Sequence, residues 1–260
     1  MGSCTPFAGQ WTGRRPKCPL YSAAVIPLRD TIPSRTAPFV TIGLIVANVL
    51  IYLHELALGP LLPRFVHAYG LVPARLVEWT ALGGDPLDPA RFLPLFTSMF
   101  WHGGFLHLAG NMLYLWIFGD NVEDRLGHVR FLAFYLCAGV CAALVQLFFD
   151  PLSTVPTIGA SGAIAGVLGA YLISFPRARV LTFVPIFFLP WLVEIPAVIY
   201  LVLWFVLQLG SAMLVSAAGT GASMGGIAFW AHVGGFVSGI VLVLLMSPAP
   251  AARMRQRGVW

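Results

Sequence analysis

Thr157–Ala170 reads T-I-G-A-S-G-A-I-A-G-V-L-G-A. The stretch has no charge, and small residues recur at Gly162, Gly166 and Ala170, one helical turn apart. That is the pattern of a membrane helix whose backbone is approached closely by a neighbour. Its serine is flanked by small residues and lies in a segment apolar enough for lipid. Further along comes Trp230-Ala231-His232-Val233-Gly234-Gly235, again apolar and again followed by a small-residue face, Ala231, Gly235 and Gly239. Polar groups within a bilayer are costly and mark functional sites. Serine with histidine is the minimum set for a nucleophile and its general base.

The rest of the chain agrees with a bilayer setting. Of its 260 residues 58% are apolar and 10% charged, and the mean hydropathy is +0.85. These values exclude an ordinary soluble domain. Apolar runs lie at about 38–57, 104–119, 129–149, 158–175, 195–216 and 227–246, and predict an all-α, polytopic bundle of six transmembrane helices. The segment 180–190 is apolar but short and broken by proline. It reads as interfacial or re-entrant, and seven spans is the alternative count. Residues 58–103 are too polar to span and are expected to form short helices in the interface of a long outer loop. Residues 1–36 read as a loosely ordered tail without a cleavable signal peptide, 37–247 as the membrane domain, and 248–260 as a basic tail.

Charge sets the expected orientation. Five of the 15 basic residues stand in the N-terminal tail, three in the C-terminal tail, and Arg125, Arg130, Arg177 and Arg179 in the loops 2–3 and 4–5. With six spans all of these fall on one side, the cytoplasmic one. The 14 arginines against one lysine suggest a bacterial inner membrane, with an organellar membrane as the alternative. No basic run interleaved with aromatics suggests nucleic-acid binding. Of the four cysteines, Cys137 and Cys141 lie one turn apart on an apolar helix and read as packing residues.

Depth brings the serine and the histidine together. Ser161 stands 15 residues before Pro176, and His232 stands 15 before Ser247. At about 1.5 Å per residue both lie about 22 Å above the inner boundary of a core about 30 Å thick. Helix two adds His107 and, one turn on, Asn111, which share a face and supply an imidazole and an amide N–H for an oxyanion. The backbone N–H of Ser161, at a helix start, is a third donor. The plainer role for Asn111 is to hold helices together.

The ten acids fall in tails, loops or helix ends, so a Ser-His dyad is expected rather than a triad. There is no H-E-x-x-H, and His102 with His107 lacks a nearby carboxylate, so neither metal nor cofactor is called for. Ala163 stands where G-x-S-x-G needs its last glycine, which removes the nucleophile-elbow reading.

Three motifs, in order and on helices two, four and six, resemble those of the rhomboid family of intramembrane serine proteases. They are His102-Gly103-Gly104-Phe105-Leu106-His107-Leu108-Ala109-Gly110-Asn111-Met112, Gly159-Ala160-Ser161-Gly162 and Ala231-His232-Val233-Gly234-Gly235. The resemblance covers about residues 26–247. It implies Ser161 as nucleophile and His232 as general base. It also implies an oxyanion site from His107, Asn111, the Ser161 N–H and the loop at Gly159. Glu123 and Arg125, placed in the 2–3 loop, match a structural motif of the family. Many members carry Trp-Arg in the first long loop, where this chain has Arg91-Phe92. Some place an aromatic one turn after the serine, where this chain has Ala165, so that His232 would be oriented by others such as Phe229 or Trp230.

The activity so implied is endoproteolysis of transmembrane substrates near the outer membrane face. Substrate segments with glycine, proline or small residues, which unwind easily, would be preferred. Trp204, Phe205 and Leu207 of helix five and the loop 219–226 are candidates for a gate and a cap. The partners expected are membrane-protein substrates and the bilayer, with the oligomeric state undetermined by the sequence. Two other readings fit the same polar groups: a rhomboid-like pseudoprotease that binds clients without cutting, and a transporter. The first should have lost the serine or the histidine. The second is disfavoured by the apolar inner halves of the helices.

Overall fold

The computed structural model describes residues 26–82, 85, 88–186, 189–218 and 227–247. The tails 1–25 and 248–260 and the cap candidate 219–226 lie outside the described residues. Nine α-helices are found among those described. They are α1 (Phe39–Leu58), α2 (Leu62–Tyr69), α3 (Pro73–Ala81), α4 (Pro89–Thr97), α5 (Phe105–Leu126), α6 (His128–Phe149), α7 (Ser161–Ser174), α8 (Ala197–Ala218) and α9 (Phe229–Met246). The six longest correspond in order to the expected spans. α1 with its continuation to Tyr69, α6, α8 and α9 are long and apolar enough to cross a membrane. α5 carries charges in its last turns, and α7 has only 14 residues, about 21 Å at 1.5 Å each. The protein is a polytopic helical membrane protein.

The short helix is the centre of the bundle. Every residue from Gly162 to Tyr171 is buried, between α5, α6 and α9. A Cβ on Gly235 would strike the carbonyl of Gly162, and one on Gly239 the carbonyl of Gly166. On the other side of α7, Cβ atoms on Gly162 and Gly166 would come within 2.7 and 2.6 Å of Ala142 and Ala138. Glycine is thus required where α7 and α9 touch backbone to backbone. Dispersion contacts over such close surfaces hold membrane helices together, because lipid offers no hydrophobic gain for packing them. Beneath this layer Phe118, Phe131, Phe134, Tyr135 and Tyr171 fill the core toward the opposite end.

Three features differ from the sequence expectation. Residues 26–30, read as tail, form strand β1 (Ile26–Asp30). It pairs antiparallel with β2 (Arg179–Ile186), which pairs antiparallel with β3 (Leu189–Pro196). The segment 180–190 is therefore most of a β-hairpin, at the end of the bundle away from Ser161. Val180 and Thr182 are wholly buried, whereas Leu181 and Phe183 are half-buried, the alternation of a strand with one inward face. Glu123 and Arg125 do not sit in a loop, because α5 runs to Leu126 and turns into α6 at Gly127, whose φ is +81°. The long loop forms the short helices α2 to α4 as expected. α4 opens on Asp88, whose side chain accepts from the Ala90 N–H, with Pro89 following.

Buried carboxylates tie the sheet end together. α1 has no side-chain cap of its own after Pro38. Glu123 supplies one from α5, accepting from the N–H of Val40 (2.9 Å), the N–H of Thr41 (2.8 Å), Thr41 Oγ1 (2.7 Å) and His128 Nδ1 (2.6 Å). A carboxylate at a helix N-terminus is favoured by the helix dipole. Asp30 plays a similar part for the sheet. Its Oδ2 accepts from Tyr171 Oη (2.5 Å) and Asn121 Nδ2 (2.9 Å), joining β1 to α7 and α5. Burial pushes the Asp30 carboxyl above its ordinary range, and the Tyr171 hydroxyl draws it partly back.

Glu123→Ala leaves the two α1 amides and the Thr41 hydroxyl without their acceptor. It should lower stability by about 3 kcal/mol or more, whereas Thr41→Ala, which loses one bond, should cost about 1 kcal/mol. Thermal unfolding of the detergent-solubilised variants measures both.

Candidate active site

Ser161 is the first residue of α7, and the chain reaches it through a turn that the long 58–103 connection holds. Gly159 N–H donates to Ser98 O at 2.9 Å, and Leu71 and Thr157 form an antiparallel bridge. Gly159 has φ +124°, and a Cβ there would lie 2.8 Å from both Cε1 and Nε2 of His107. The turn thus needs glycine twice over, for its backbone angle and for the imidazole edge that passes it.

That connection is itself anchored at this end. Trp101 stacks on Tyr69 with centroids 5.5 Å apart, and Glu55 of α1 accepts from the His102 N–H at 2.9 Å. Glu55 is only 2% exposed, so this carboxylate lies inside the protein and not at a solvated helix end. It is bound to His102 and does not orient His232.

The serine and the histidine meet. His232 Nε2 lies 2.8 Å from Ser161 Oγ, a hydrogen bond between the first turn of α7 and the first turn of α9. Both side chains are partly exposed. As the first residue of α7, Ser161 has a backbone N–H without an intrahelical acceptor.

His107 of α5 stands beside the turn that leads to Ser161, and Asn111 follows it one helical turn on. The Gly103 N–H donates to His107 Nδ1 at 3.3 Å, which leaves Nε2 toward Gly159 and Ser161. Asn111 Nδ2 is buried and has no hydrogen-bond partner among the described residues. A buried amide donor left open costs stability unless something accepts from it. The His102 ring lies 5.2 Å from that of His107 and closes the site from behind.

One contact in the site was not expected. His232 Nδ1 lies 2.8 Å from Gln208 Oε1, on α8. Phe229 meets the His232 ring edge-on at 6.4 Å and Trp204 lies 6.0 Å from it, whereas Trp230 turns away to stack on Phe149 at 3.8 Å. Of the two neighbours suggested for the histidine, Phe229 is beside it and Trp230 is not. Gln208 could have been found as a lone amide in an otherwise apolar span, on the same grounds that singled out Asn111. Ala165, in place of an aromatic, is wholly buried on the face of α7 that meets α9, and a Cβ on Gly235 would lie 3.2 Å from its own. A larger side chain there would force the two helices apart.

Among the gate candidates, Trp204 and Phe205 face the Phe236 ring at 6.0 and 4.7 Å, while Leu207 is 60% exposed on the outer side of α8. Gly162, Gly166 and Gly235 form the close packing around α7 next to Ser161, and Arg125 stands at the far end of α5.

Short apolar helices, a recessed serine at a helix start, and a histidine one hydrogen bond away are what the three motifs lead one to expect. A family model described as the Rhomboid domain matches residues 89–249, more than half of the chain, and the chain belongs to the rhomboid family. It is similar to Rhomboid protein 1, mitochondrial, of Saccharomyces cerevisiae (32% identity over 62% of this chain and 43% of that protein). It is similar also to RHOMBOID-like protein 5 of Arabidopsis thaliana (31% over 75% of this chain and 54% of that protein). With Rhomboid protease GluP of Bacillus subtilis it shares 40% identity over 37% of this chain and 18% of that protein. The chain spans about half or less of the length of these relatives.

Gly159→Ala would drive a methyl group into the His107 ring and hold a disfavoured backbone angle. The variant should unfold at a lower temperature, by the equivalent of about 1–3 kcal/mol. A Gly159→Ala protein with unchanged thermal unfolding would mean that the turn is not held as described.

Proposed function

We propose that the chain is an intramembrane serine endopeptidase acting on transmembrane proteins. The observation that carries this reading is the 2.8 Å bond between Ser161 Oγ and His232 Nε2, with the His107 ring edge against the turn that precedes the serine. In this reading Ser161 Oγ attacks the scissile carbonyl carbon as its proton passes to His232 Nε2. The oxyanion is received by the Ser161 N–H, the Asn111 amide and His107, donors already in place before charge develops. His232 then gives its proton to the leaving amine, and a water molecule, deprotonated by the same nitrogen, resolves the acyl ester. The glycine-lined contact of α7 with α9 fixes the dyad, and the turn at Gly159 aims the serine.

The orientation with both termini on the cytoplasmic side is part of the proposal. It is supported by Arg125, Arg130, Arg177 and Arg179, which gather at the sheet end, opposite Ser161. Substrates would then be met near the outer face, about 20 Å above the inner boundary, given the 14-residue length of α7. The relatives include mitochondrial proteins as well as a Bacillus one, and they lend no support to a bacterial inner membrane in particular. The name of the Bacillus relative, a rhomboid protease, is in keeping with the activity proposed.

A fluorophosphonate probe tests the reading on the detergent-purified chain. Wild type should be labelled, Ser161→Ala and His232→Ala should not, and Asn111→Ala should react on the order of 100-fold more slowly. Folded wild type that resists the probe and leaves transmembrane substrates intact would leave a client-binding pseudoprotease as the reading.

A further inference from the structure

Among the described residues, Gln208 and Ser161 are the side chains that hydrogen-bond the ring of His232, and Gln208 comes from the least buried of the four membrane-length helices. Only 17% of the apolar stretch of α8 is buried, against 44% for α6. Val206 and Leu207 before Gln208 and Met213 and Leu214 after it are all exposed at the bundle surface. In a lipid-facing helix the isolated amide would be costly without a partner. Here its Oε1 lies 2.8 Å from His232 Nδ1. α8 has two other polar ties, Tyr200 Oη to Tyr114 Oη at 2.6 Å and Ser216 Oγ, which accepts from Trp230 Nε1 at 2.9 Å. Neither of these reaches a group of the dyad.

Building on the serine protease reading above, we infer that Gln208 is a positioning residue that holds His232 in the tautomer competent for base catalysis. The argument is one of proton inventory. Neutral imidazole carries one proton, on Nδ1 or Nε2. A carbonyl oxygen accepts and cannot donate, so Gln208 Oε1 requires the proton on Nδ1. Nε2 is then an acceptor and receives the Ser161 hydroxyl proton.

During attack the Oγ–H bond breaks and an Nε2–H bond forms. The imidazolium keeps its Nδ1–H on Gln208, whose carbonyl dipole faces the new charge. In the other tautomer Nε2–H would point at Oγ and no base would be available. Aspartate does this work in the familiar triad. Gln208 does it without placing a charge among lipid-facing side chains, where an ionised carboxylate would be costly. Since the acceptor rides on α8, any displacement of that helix from α9 also removes the restraint on the histidine.

Two variants of the full chain test the inference. Gln208→Met keeps the length of the side chain and removes the acceptor, and Gln208→Glu keeps an acceptor oxygen. Cleavage of a transmembrane substrate in detergent, with kcat and KM separated, should show kcat lowered about tenfold or more in Gln208→Met with KM within about twofold. Gln208→Glu should recover most of that loss, and the thermal unfolding of Gln208→Met should stay close to that of wild type, so that its loss of kcat is not a loss of fold.

Gln208→Met with the kcat of wild type would overturn the inference and leave the protease reading intact. So would equal loss in both folded variants, because packing and not acceptance would then be at stake. Absence of cleavage and of fluorophosphonate labelling in wild type would instead remove the protease reading itself.

Discussion

The contact between α7 and α9 is the constraint on which the site depends. Two helices without side chains between them can approach until their backbones touch, and Gly166, Gly169, Gly235 and Gly239 make this possible. The distance from Ser161 to His232 is set by that approach, since each residue stands in the first turn of one of the two helices. A single methyl group on Gly235 or Gly239 would meet a carbonyl and push the helices apart. Hydrogen-bond geometry tolerates little of such a shift. Ala138 and Ala142 of α6 extend the same close packing to the other face of α7, so that the serine helix is held from both sides.

Polar groups in the bundle follow a second rule, that each must find a partner where water is scarce. Glu123 caps a helix that has no cap of its own, Asp30 joins the edge strand to two helices, and Glu55 holds the strand of chain leading to His107. These links lie at the two ends of the bundle. Asn111 stands apart from them, with an amide nitrogen that nothing in the described chain accepts from. An open donor of this kind is what the proposed oxyanion site calls for, where charge would arise only during reaction.

The six long helices were legible because continuous apolar runs of the required length leave few alternatives in a bilayer. Ser161, His232, His107 and Asn111 were legible because polar side chains are rare in such runs. Other parts were not. The strand β1 pairs with a segment about 150 positions away, and nothing local in residues 26–30 announces that partner. The hairpin was obscured by Pro185, Pro190 and Pro196, which exclude a helix without saying what replaces it. Glu55 lies near the end of α1, a place where carboxylates ordinarily face water, and only the fold shows that the long 58–103 connection covers it. Gln208 carried the same signal as Asn111 but no motif around it.

By itself the sequence determined that the chain is a helical membrane protein and which residues could carry chemistry. Both depend on composition and spacing along one strand of chain. Tertiary structure alone decided which polar groups face one another. Whether the His232 ring is held by an acid, an aromatic or an amide depends on how α8 lies against α9, helices joined through a long connection. That arrangement is set by packing summed over the whole bundle, and no stretch of sequence contains it.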